Sequence, residues 1–149
     1  MKKILVLIII VLTANFAVAQ KLDGKDVPVA VKSSFAKLFP TVKDVKWGKE
    51  GVDFEGEFDL NKVETSATFD SNGNLKEVES EIEVSALSQK IRDYVSKNYP
   101  NSKIKEASKI TDSKGIITYE AEMKGMEIIF DSNGNFLKEI RQVVSEKKD

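Results

Sequence analysis

The chain predicts an α+β fold in which one small unit occurs twice, each copy a helix followed by four antiparallel strands, with the helices on one side of the sheet. Three observations carry this. Phe69-Asp70-Ser71-Asn72-Gly73-Asn74 returns letter for letter as Phe130-Asp131-Ser132-Asn133-Gly134-Asn135, and the segment around Phe39-Pro40 returns around Tyr99-Pro100. A repeat of this kind has to be recognised before a fold is assigned. Before each of those prolines, apolar residues fall four apart. After them they fall two apart, the mark of strands with one buried face.

The first helical stripe is Val27, Val31, Phe35 and Phe39, with Asp26 as the expected cap, Pro28 in the first turn and Pro40 as the stop. The second is Leu87, Ile91, Val95 and Tyr99, with Ser85 as the expected cap and Pro100 closing it. Alternation then predicts first-unit strands near Val42–Trp47, Val52–Phe58, Val63–Phe69 and Leu75–Ile82, with turns at Gly48 to Gly51, Leu60 to Lys62 and Asn72-Gly73. The second-unit strands fall near Ile104–Ile110, Ile116–Met123, Met126–Phe130 and Phe136–Val143, with turns at Ser113 to Gly115, Lys124-Gly125 and Asn133-Gly134. The repeats are thus 27–82 and 87–143 inside a single domain of residues 20–149, and Ser145 to Asp149 is expected to fray. A chain of this size buries roughly two thirds of its unfolded surface.

Residues 1–19 read as a signal peptide. Lys2 and Lys3 give a basic start, Ile4 to Val18 is almost wholly apolar but shorter than the about 20 residues a spanning helix needs, and Ala17-Val18-Ala19 suits a signal peptidase. Cleavage leaves Gln20 first and places the product in the periplasm or outside the cell, with no stable membrane insertion. Losing the two lysines takes the balance from 23 basic and 24 acidic residues to 21 and 24, so the formal net charge moves from -1 to -3. A nucleic-acid partner would need a basic face instead.

These residues carry a resemblance. The helices ending in Phe-Pro or Tyr-Pro, the strand Lys43-Asp44-Val45-Lys46-Trp47, the strand Tyr119-Glu120-Ala121-Glu122 and the Phe-Asp-x-x-Gly-Asn turns resemble the PepSY-like family of small exported bacterial proteins, in its tandem β-lactamase-inhibitor-like form. The resemblance spans nearly all of residues 20–149. It implies that the two repeats join into one curved sheet with both helices on one face, like the β-lactamase inhibitor protein. It also implies a binding or inhibitory module acting on an extracytoplasmic protein, an enzyme among the candidates, and it supplies no catalytic residues.

Absent residue types narrow the chemistry further. With no histidine and no cysteine the chain builds neither a Ser-His-Asp nor a Cys-His nucleophile, nor a usual zinc or copper site, nor a disulfide. A carboxylate pair of the glycosidase kind is the surviving catalytic option, and no acidic residue stands in a context that singles it out. The chain is therefore expected to be no enzyme and to need no cofactor.

Two features remain as candidate sites. Asp70, Asn72 and Asn74, repeated as Asp131, Asn133 and Asn135, place oxygens at alternate positions as the start of a calcium loop does. The EF-hand spacing fails, because glycine comes fourth and the twelfth positions, Glu81 and Gln142, fall on departing strands. Asn-Gly between alternating runs instead predicts type I′ hairpin turns, and the alternative function is a periplasmic calcium or small-ligand binding protein that uses these turns, its calcium completed by neighbouring loops or a partner. The second feature is acid on alternate strand positions: Asp53, Glu55 and Glu57 on one strand, and Glu77, Glu79 and Glu81 on another, with Ser66 and Thr68 on the strand between them. Two such rows lie about 9–10 Å apart, too far for one cation to be held directly by both. They suit a basic or polar macromolecular partner, or else serve only to solvate an open sheet face. The Leu60-Asn61-Lys62 hairpin is a further candidate contact. Trp47 is read as core, with a binding anchor as the alternative.

Overall fold

A computed structural model describes residues 20–141 of the chain. The signal-peptide reading and the end of the last predicted strand lie outside the described residues. Nine strands run in the order β1 (Gln20–Leu22), β2 (Lys46–Glu50), β3 (Asp53–Leu60), β4 (Val63–Phe69), β5 (Leu75–Ile82), β6 (Glu106–Asp112), β7 (Ile117–Met123), β8 (Met126–Asp131) and β9 (Phe136–Arg141). Helix α1 (Val29–Leu38) lies between β1 and β2, and α2 (Gln89–Asn98) between β5 and β6. Every strand pairs antiparallel with its sequence neighbour, so the sheet is one open meander.

The expected eight strands become nine, and the extra one explains how the units join. β1 pairs with β2 as Gln20↔Lys49, Lys21↔Gly48 and Leu22↔Trp47. Sixty residues later, Ser80↔Lys109, Glu81↔Ser108 and Ile82↔Ala107 make the same ladder between β5 and β6. The second half of β5 therefore stands to α2 as β1 stands to α1. That pairing also moves β2 from the expected Val42–Trp47 to Lys46–Glu50. Gly48, expected in a turn, faces Lys21 on one side and Glu55 on the other. Val42 and Val45 still pack on the core, from the loop ahead of the strand.

Both helices stop where the prolines require, with Phe39 and Tyr99 as C-caps. Their starts differ from expectation. Pro28 itself is the N-cap of α1 and makes no side-chain cap bond, while Asp26 ends a preceding 3-10 turn whose own cap is Asp23. In α2 the cap is Ser88, whose Oγ accepts from Ile91 N at 3.4 Å, and Ser85 lies in the matching 3-10 turn. Alternation could not see these turns, which hold Val27 and Leu87 in the core ahead of the helices.

Each helix buries one stripe on its own half of the sheet. Val31 and Phe35 of α1 pack with Trp47, Phe54, Phe58, Ala67 and Phe69; Ile91 and Val95 of α2 pack with Ala107, Ala121, Met123, Ile128 and Phe130. Phe35 is the hub of the first cluster, with ring centroids of Trp47, Phe58 and Phe69 at 5.3, 5.0 and 6.4 Å. Val78 under the first helix and Ile82 under the second share a face of β5, so both helices cover the same side. Among the described residues the other side carries none.

Candidate functional site

Register decides what the uncovered side presents. Glu57, Ser66, Glu79 and Ile110 form one cross-strand row, Glu55, Thr68, Glu77 and Asp112 a second, and Glu81, Ser108, Glu120 and Ile129 a third. A flat sheet face has no hollow. Here five strands border a cavity of about 360 Å³, lined by Glu55 and Glu57 of β3, Glu64 and Ser66 of β4, Glu79 and Glu81 of β5, Glu106 and Ser108 of β6, and Glu120 and Glu122 of β7. The sheet curves around its open face, and the curvature gathers eight glutamates.

Five of the eight residues expected at the site line this trough: Glu55, Glu57, Ser66, Glu79 and Glu81. Asp53, Thr68 and Glu77 share the face without lining it. Asp53 pairs with Lys76, and Thr68 is buried. Sequence reasoning missed Glu64, Glu106, Ser108, Glu120 and Glu122. The signal for four of them was the same alternation, present in the second unit and read only in the first.

Crowding shows in the electrostatics. Burial, reinforced by Glu79, Glu127, Glu122 and Glu77, pushes the Glu120 carboxyl up to about 8. Burial also raises Glu79, against a hydrogen bond from Ser108, and raises Glu55, against one from Ser66. Glu122 is raised by burial and by Glu106 beside it, and Glu77 by burial and Glu50, with Lys138 and Lys76 acting the other way. At neutral pH Glu120 therefore holds its proton, and a cation entering the trough would relieve the crowding of acidic side chains around it.

The Asp-Ser-Asn-Gly-Asn turns do something else. Asp70 Oδ1 accepts from the backbone N–H of Asn72 and Asn74 at 2.8 and 3.0 Å, and Oδ2 accepts from Asn74 Nδ2 at 2.8 Å. Asp131 repeats this with Asn133 and Asn135. Asp112, which the sequence reading passed over, makes the same two backbone bonds to Lys114 and Ile116 ahead of Gly115. These bonds hold Asp70 and Asp131 below the usual carboxylate range. Each aspartate is occupied as the hydrogen-bond hub of its turn, and no group of three or more acidic side chains among the described residues is arranged to hold a metal ion.

Nor are these turns type I′. Only the glycines take positive φ, 83° at Gly73 and 74° at Gly134, with Gly73 N donating to Asp70 O and Asp70 N to Asn74 O. This is a three-residue loop with glycine in the left-handed position, and the register shifts beside it between Thr68 and Phe69. Among the described residues the turn with both central residues at positive φ is Asn61-Lys62, at 54° and 69°, in the β3–β4 hairpin. Gly73 is further required because a Cβ there would come within 2.6 Å of Ala30 O on α1; at Gly134 it would come within 2.9 Å of Oγ of Ser88, the N-cap of α2.

An open antiparallel meander with two helices on one face and an acidic hollow on the other defines the class of protein. The chain belongs to the PepSY-like family: the family model described as "Putative beta-lactamase-inhibitor-like, PepSY-like" matches residues 50–138. Similar solved structures include a putative periplasmic protein of Bacteroides eggerthii, at 12% identity and TM-score 0.68, covering 77% of this chain and 88% of that one. A DUF2874 family protein of Bacteroides uniformis follows at 16% identity and TM-score 0.64, covering 76% and 88%. A BLIP-like protein of Bacteroides fragilis matches at 19% identity and TM-score 0.58, covering 80% and 89%. At these identities the likeness is one of fold. No curated protein matches the chain.

Proposed function

We propose that this chain is an exported, non-catalytic binding module that receives a basic segment of an extracytoplasmic protein on the open face of its sheet. The observation that carries this reading is the trough itself, where five strands converge eight glutamates on the one face that the helices leave uncovered. A face kept acidic only for solubility would do better with its charges spread out. Here they are crowded until their protonation is disturbed, which is unfavourable until a cationic partner supplies the opposite charge. The family description and the periplasmic and BLIP-like descriptions of similar folds support a partner outside the cytoplasm, with an enzyme that the module restrains as the specific case. The basic start and Ala17-Val18-Ala19 support export.

The test is binding of a fluorescent lysine-rich peptide to residues 20–149, beside a glutamate-rich peptide of equal length. The lysine peptide is expected to bind, to weaken steeply with added salt, and to be lost when Glu79, Glu81 and Glu120 are all changed to Gln. Equal binding by that triple variant would overturn the assignment of the trough. Inhibition of a β-lactamase by the same protein tests the enzyme-restraining case separately.

A further inference from the structure

The two Asn-Gly pairs are not absorbed by the trough. Asn72 and Asn133 are exposed, and each is followed by a glycine that places no side chain in the way of its own nitrogen. In that setting the glycine nitrogen can attack the asparagine Cγ. The nitrogen loses its proton to solvent base, the C–N bond to the side-chain amide breaks and ammonia leaves, closing a five-membered imide. Water then opens the imide at Cγ to give aspartate, or at the main-chain carbonyl to give isoaspartate, which lengthens the backbone by one carbon. No oxidant or second substrate is needed.

The folded turn opposes each requirement of that attack. The Gly73 N–H is committed to Asp70 O at 3.0 Å and the Gly134 N–H to Asp131 O at 2.9 Å. The N–H groups on either side, of Asn72 and Asn74, are both tied to Asp70 Oδ1, and those of Asn133 and Asn135 to Asp131 Oδ1. Each glycine also sits against a helix, so the loop cannot turn its nitrogen toward the neighbouring amide without leaving Ala30 or Ser88. We propose that Asn72 and Asn133 are sites of spontaneous deamidation, each held shut by the aspartate at the head of its own turn, so that the modification reads out local opening of the β4–β5 and β8–β9 hairpins. Once formed, isoaspartate does not fit the Asp70 O to Gly73 N span, and the hairpin loses its seat on the helix.

Because reaction passes through the opened turn, its rate follows the opened population. The experiment is incubation at mildly alkaline pH with peptide mapping by mass spectrometry, on the folded chain and in denaturant. Both asparagines are expected to react readily in denaturant and slowly when folded. Asp70→Ala is expected to speed Asn72 on the order of tenfold, which corresponds to about 1.4 kcal/mol of lost turn stability, and to leave Asn133 unchanged. Asp131→Ala is expected to do the reverse. Equal rates in folded and denatured chain, or no local acceleration in either variant, overturn the proposal. Should Asp70→Ala unfold the chain, seen as equal acceleration at both sites, Asn74→Ala removes only the Oδ2 bond and is expected to give a smaller acceleration confined to Asn72; none there also overturns it.

Discussion

The two faces of this sheet share one backbone and opposite chemistry. On the helix side, Phe69, Ala121, Met123, Ile128 and Phe130 are wholly buried, and their contribution comes from close packing and removal from water. On the open side the sheet carries Glu55, Glu79, Glu120 and Glu122 at half-buried positions where burial works against their charge. Stability resides on one face, then, and the other is maintained at some cost to it. A face that costs stability and is nevertheless shaped into a hollow is where function is to be sought.

The largest effect that sharpens this contrast is expected in the core. Phe69→Ala removes a ring with no exposed surface that touches Phe35, and should cost about 3–5 kcal/mol in urea unfolding. A loss below about 1 kcal/mol would mean that the helix side is not the stabilising one.

A middle-sized effect is expected where the sheet meets a helix. Gly73→Ala forces a side chain to positive φ and drives its Cβ into the α1 backbone, whereas Gly115→Ala, at φ 81°, meets open space. Both should lose roughly 1 kcal/mol for the backbone conformation, and Gly73→Ala should lose about 1–3 kcal/mol more. Equal melting-temperature drops for the two variants would show that the turn does not press on α1.

The remaining effect belongs to the open face, and its sign is opposite. The Glu120 carboxyl is raised from 4.5 to about 8, so the folded chain holds a proton that the unfolded chain gives up across that window. By linkage, stability falls as pH rises from near 4.5 to near 8, and the destabilisation is complete above that range and absent below it. Glu120→Gln should flatten the decline and raise the melting temperature at neutral and alkaline pH. Unfolding curves for both proteins across that range check it; parallel curves would remove Glu120 from the cause.

How far this contrast was legible beforehand depends on the range of the interaction. The Val31-Phe35 and Ile91-Val95 stripes, and strands β3, β4, β5, β7 and β8, were legible to within a residue or two, because periods of four and two are local consequences of which side is buried. The family expected from the Phe-Pro and Phe-Asp-x-x-Gly-Asn motifs is the family found. Glu55, Glu57, Glu79 and Glu81 were legible as one outward face for the same reason. Glu120 and Glu122 were legible in principle, by applying the same alternation to Tyr119-Glu120-Ala121-Glu122. That they stand across one hollow from Glu55 and Glu79 was not, since strand order and curvature relate residues that no window along the chain connects.

The sequence by itself determined the class of fold, the two helices and most of the strands, the side of each strand that faces the core, and the chemistry that the absence of histidine and cysteine excludes. Each of these follows from short-range steric and hydrophobic preference or from composition. Tertiary structure alone decided that Gln20–Leu22 is a strand, that Asn61-Lys62 rather than Asn72-Gly73 takes the doubly left-handed turn, and that eight glutamates of five strands meet in one trough. A three-residue strand exists only through its partner. A turn type is settled by the loop length that strand pairing leaves between the two ends, and the protonation of a carboxyl group by burial and by charges brought near it from distant parts of the chain.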